Sequence, residues 1–77
     1  NQIDFKIELI NLQTAVYNHL MNTNKEIRLN RNKVSKQELQ ILKQKRKQSD
    51  QLLSEVKSIA VLDHYSLNLC TNKYKQF

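Results

Sequence analysis

Neither glycine nor proline occurs anywhere in the 77 residues of this chain, and that joint absence restricts the fold more than any other property. Glycine supplies the positive φ angles of tight hairpin turns, and proline breaks helices and stiffens loops. A sheet protein needs many such turns, whereas a few long helices need almost none. The expected class is all-α. At this length the whole chain, residues 1–77, makes a single small helical domain whose core leaves it only marginally stable. Because it starts at Asn1 rather than at methionine, it is expected to be a domain excised from a longer protein.

Two apolar rows run through residues 3–21. The first is Ile3, Ile7, Ile10, Tyr17 and Met21, and the second is Phe5, Leu9, Leu12, Val16 and Leu20. Both follow the three- and four-residue spacings of a helix. Taken as neighbours, they form one wide stripe of the kind a helix buries in a bundle. The next boundary is at residues 34–39, "VSKQEL". Ser35 with Glu38 reads as a capping box, and Val34 with Leu39 as its hydrophobic staple. The stretch "LNRNK", residues 29–33, is then a turn, with Asn30 or Asn32 expected in the left-handed conformation. Thr23 and Glu26 form a weaker box that could interrupt the first helix.

From Leu39 onward a heptad pattern runs to the end of the chain. One row is Leu39, Arg46, Leu53, Ala60, Leu67 and Tyr74, and the other is Leu42, Ser49, Val56, Asp63, Cys70 and Phe77. Arg46, Ser49 and Asp63 are polar interruptions in a coiled-coil-like pattern. The expected architecture is an antiparallel hairpin of helices over about 3–31 and 35–63. A turn near residue 33 pairs residues whose numbers total about 66. Arg46 then meets Leu20, Val56 meets Ile10, and Ala60 meets Phe5 or Ile7.

That register exhausts the first helix near residue 63. Residues 64–77 are left either to fold back as a short third helix or to extend as a dimerising helix. Asp63 favours the fold-back, since it suits an N-cap and is costly in a dry seam. In either case Tyr65, Leu67, Leu69, Cys70, Tyr74 and Phe77 form an apolar end expected to bind a protein partner or a second copy.

Charge is concentrated. Residues 25–50 hold nine cations against three acids, which accounts for the entire net charge of +6. Within that window Arg28, Arg31, Lys33, Lys43, Lys45, Arg46 and Lys47 are candidate contacts for phosphates or an acidic protein surface. Lys43, Lys45 and Lys47 lie off the seam rows, so a solvated face is the plain alternative for them. The window has no aromatic residue to stack on bases, so backbone contact with nucleic acid is expected rather than base reading.

The reactive inventory is thin. His19 and His64 have no second ligand at helical spacing, so no metal site is expected. Cys70 lies six residues from His64, too far along a helix to be activated by it. Asp4 with Glu8 reads as a solvated acidic pair. No cofactor site and no enzyme are expected, no apolar run reaches membrane-spanning length, and the single cysteine points to a reducing, intracellular setting. The expected function is a non-enzymatic helical protein–protein interaction or assembly module. It would dock through its apolar C-terminal end and its basic hairpin tip. The alternative is a helical hairpin that grips nucleic-acid phosphates through residues 25–50.

Overall fold

The computed structural model describes residues 1–77. It contains three helices, α1 (Gln2–Asn30), α2 (Lys36–Lys57) and α3 (His64–Lys75), and no strand. α1 starts at Asn1, whose side-chain oxygen accepts a hydrogen bond from the Ile3 N–H at 2.8 Å. Asp4 in its first turn and Arg28 in its last both complement the helix dipole. The possible interruption at Thr23 does not occur. Thr23 is buried, and its hydroxyl donates back to the His19 carbonyl at 2.9 Å within an unbroken helix.

The first turn closes through Lys33 and Val34 N–H groups donating to the Asn30 carbonyl. Neither Asn30 nor Asn32 is left-handed, contrary to expectation. Asn30 instead stays helical and donates its side-chain amide to the Glu26 carbonyl at 2.9 Å. Ser35 caps α2 as expected, accepting from the Glu38 N–H at 3.2 Å.

α2 stops at Lys57, earlier than residue 63. Ser58 folds its hydroxyl onto the Glu55 carbonyl at 2.9 Å, and the chain turns through residues 59–62. Leu62 there has φ 64°, the only positive φ in the molecule. Asp63 then caps α3. Its carboxylate accepts from the Ser66 N–H at 3.1 Å and from the Ser66 hydroxyl at 2.7 Å.

The third helix folds back, as one of the two alternatives required. It runs parallel to α1, with His64 edge-on to Phe5 at 5.2 Å and Phe77 beside His19 at 5.1 Å between ring centroids. A Lys73–Glu55 ion pair at 2.9 Å ties it to α2. The core gathers Phe5, Leu12, Val16 and Leu20 from α1, Leu52, Leu53 and Val56 from α2, and Leu67 and Cys70 from α3. Burying a large apolar side chain contributes about 1.5–3 kcal/mol, so this cluster dominates stability. It occupies the half of the molecule away from the first turn, where α1 and α2 pair alone.

The hairpin register differs from expectation by about two residues. His19 meets Ser49, which sets Val56 against the buried inner row rather than against Ile10, itself 58% exposed. Ala60 is exposed and lies outside α2, so it does not pack on Phe5 or Ile7. The shift in register is fixed by the first turn and the His19–Ser49 contact, and Ala60 is excluded because α2 has already ended at Lys57.

Candidate functional site

α1 is apolar on two opposite sides. At about 100° per residue, Phe5 and Ile7 point about 160° apart, so the two rows are not neighbours on one stripe. The inner row of Phe5, Leu12, Val16 and Leu20 is buried, with Leu9 half-buried. The other row, Ile3, Ile7, Ile10, Tyr17 and Met21, faces solvent, each residue 40–67% exposed. Thr14, also exposed, fills the gap. Residues 3, 7, 10, 14, 17 and 21 repeat at four and three residues, the spacing of a coiled-coil seam. A helix whose apolar residues served only its own core would show one such face. The signal was present in the sequence as a rotation of roughly half a turn between the rows.

The apolar C-terminal residues separate into two groups. Leu67 and Cys70 are enclosed in the core and Tyr74 packs against it half-buried, so these three are not a free docking surface. They are covered because α3 lies against both α1 and α2. Tyr65, Leu69 and Phe77 remain exposed, Tyr65 most of all at 77%. Tyr65 and Leu69, four residues apart, share one exposed face of α3 turned away from the buried members, and Phe77 lies beyond the helix end.

The basic residues also fall into groups. Arg28, Arg31 and Lys33 are exposed around the first turn. Lys43, Arg46 and Lys47 line an open groove with Leu20 and Asn24, and Asp50 stands at its edge. The expected proximity of Arg46 and Leu20 is found there, with Arg46 exposed to water. Lys45 lies apart, near His19, Gln48 and Phe77. None of these seven cations forms an ion pair, since the chain's single salt bridge is Lys73–Glu55. The basic pole therefore keeps its excess positive charge without close ion pairs, with Asp50 the one acid in its groove.

Ser49, polar within a seam row, has no exposed surface and is fully bonded. Its hydroxyl donates to the Lys45 carbonyl at 3.0 Å, and its oxygen lies 2.7 Å from His19 Nδ1. A hydroxyl has one hydrogen to give, so the imidazole donates from Nδ1. Tyr74 of α3 and Phe77 just beyond it place their rings against the imidazole. Ser66 hydrogen bonds, the hydroxyl first and then the N–H, hold the Asp63 carboxyl below the usual range, with a smaller pull from His64. Burial, reinforced by Glu55, pushes the Cys70 thiol up, away from the thiolate a nucleophile needs. No three His, Cys, Asp or Glu side chains come together in a metal-binding cluster.

No helix is long and apolar enough to cross a membrane. No family model matches the chain, and comparison with curated proteins and with solved structures found no match.

Proposed function

We propose that this chain is a non-enzymatic helical interaction module whose contact surface is the outer face of α1, with the basic tip as a second, electrostatic contact. One observation carries this: a heptad-spaced apolar seam from Ile3 to Met21 exposed on the side of α1 opposite its own core. Placing the contact here moves it from the C-terminal end, whose Leu67 and Cys70 are taken up by the core. The buried single thiol of Cys70 suits a reducing, intracellular compartment.

Hydroxyl-radical footprinting tests this, because Tyr17 and Met21 lie in the seam while Tyr65 is exposed outside it. Tyr17 and Met21 should label readily in dilute purified protein and become protected in an extract of the cells that make it, with Tyr65 unchanged. Equal labelling of all three in both conditions removes the outer face as a contact surface. Protection of Tyr65 alone would return the contact to α3.

The second reading is binding to nucleic-acid phosphates. The unpaired state of Lys43, Arg46 and Lys47 along one groove favours it, since such cations are free to replace condensed counterions.

A further inference from the structure

We infer that the outer face of α1 pairs with the same face of a second copy, antiparallel and about a twofold axis near residue 12. This rests on the proposed role of that face as a contact surface, and adds its occupant and its register.

The seam spacing sets the register. In an antiparallel pairing every layer should join one exposed seam residue to another. Only when partner numbers total 24 are all six positions used: Ile3 opposite Met21, Ile7 opposite Tyr17, and Ile10 opposite Thr14. Sliding one heptad along would set Ile3 against Arg28 and Ile7 against Asn24, wasting the isoleucines on polar side chains. One position to either side of the seam, the flanks of α1 bring Asn11 to Asn11, Asp4 to Asn18, Gln13 to Gln13 and Lys6 to Leu20. No like charges meet along α1.

Charge decides the direction. All +6 of net charge lies in residues 25–50, around the tip at the C-terminal end of α1. Parallel pairing would set two such poles side by side, within about 10 Å between helix axes. Antiparallel pairing about residue 12 holds them about 50 Å apart, several times the ~8 Å screening length at physiological salt. Each copy's bare tip then projects beyond the N-terminus of the other.

The area is adequate. Reckoning a fully exposed large side chain at about 200 Å², the five apolar seam residues present roughly 500–600 Å² per copy. That is at the upper end of what monomers leave uncovered. Two copies with their flanking amides and stems reach about 1,200 Å² in total, the lower bound of stable specific interfaces. A self-complementary patch with twofold symmetry is also the commonest form of soluble homo-oligomer.

Two measurements on the 77-residue chain test this. Sedimentation equilibrium over a concentration series should give a dimer, and Ile7→Lys should weaken it by about 100-fold or more. Because Ile7 is exposed, helicity by circular dichroism should be unchanged. Orientation is read in a Cys70→Ala background by mild oxidation. Ile3→Cys and Met21→Cys proteins should cross-link when mixed, and Ile3→Cys alone should not. Cross-linking of Ile3→Cys with itself overturns the antiparallel arrangement. A monomeric mass throughout overturns self-pairing altogether. Protection of Tyr17 and Met21 in extract, alongside a monomeric mass, would leave the contact surface standing with a different protein on it. A monomeric mass without that protection would remove both.

Discussion

His19 Nδ1 donates to Ser49 Oγ across 2.7 Å, and this is the only side-chain hydrogen bond joining α1 to α2. It sets the hairpin register at a point where both seam rows could otherwise slide by a turn. It also explains why a serine occupies a fully buried position in an apolar row.

Replacing Ser49 by alanine leaves the His19 N–H without its acceptor. A cost of about 1–2 kcal/mol is expected, as for a donor stranded at a partly buried site. The check is the urea midpoint of Ser49→Ala. Combining it with His19→Phe should recover part of the loss, because an apolar pair leaves nothing unbonded. An additive double variant would remove the hydrogen bond from the account of register.

Leu62 holds the left-handed conformation at the reversal into α3. A β-branched side chain there is disfavoured further, so Leu62→Val should lower stability by about 1 kcal/mol. Leu62→Gly should not. Cys70 supplies a local readout, since it is buried on the inner face of α3. Maleimide labelling of native protein should be faster in Leu62→Val than in wild type. Identical labelling rates would mean that the turn does not govern the docking of α3.

Acid should release α3 before the hairpin. The Asp63 carboxyl titrates below the usual range because the Ser66 hydroxyl and N–H bind its charged form. A carboxylate with a lowered folded value contributes stability above the ordinary aspartate range, near pH 4. That contribution is lost as the pH falls through the folded value. Asp63→Asn keeps a capping oxygen without the titration. Its urea midpoint should fall less than that of wild type as the pH is lowered below about 4.

Nucleic-acid binding, if the basic pole supports it, should depend steeply on salt and little on sequence. Anisotropy with labelled duplex DNA, duplex RNA and single strands across a salt series measures both. The slope of log K against log salt is about −0.9 per phosphate contacted on duplex DNA. Arg46→Glu with Lys47→Glu should abolish binding at unchanged helicity, since both side chains are exposed. Binding that survives the pair would place the contact elsewhere.

Much of the architecture was legible because it rests on local chemistry. Ser35 and Asp63 each carry a side-chain oxygen that satisfies an N–H left open at a helix start, and such bonds need no tertiary context. The second turn was less legible. Its left-handed residue is Leu62, a residue type that gives no turn signal, while the left-handed asparagine expected at the first turn does not occur. The conformation at Leu62 is imposed by the path that brings α3 onto α1, and side-chain preference is overruled. The outer face of α1 was hidden by treating two rows as adjacent, when a difference of two residues is more than half a turn. Whether residues 64–77 fold back depends on space between α1 and α2, and no local motif encodes that space.

The core is not centred in the molecule. Three helices share it at one end, while toward the first turn α1 and α2 have only each other, with Ile27 buried and Leu39 and Leu42 half-buried. Local opening requires least free energy where buried apolar contacts are fewest, so amide exchange along α1 should quicken from Phe5 toward Asn30. The softest stretch of backbone is also the one carrying the surplus cations. A partner that neutralises them meets a surface able to yield to its shape, set on a base that holds its own.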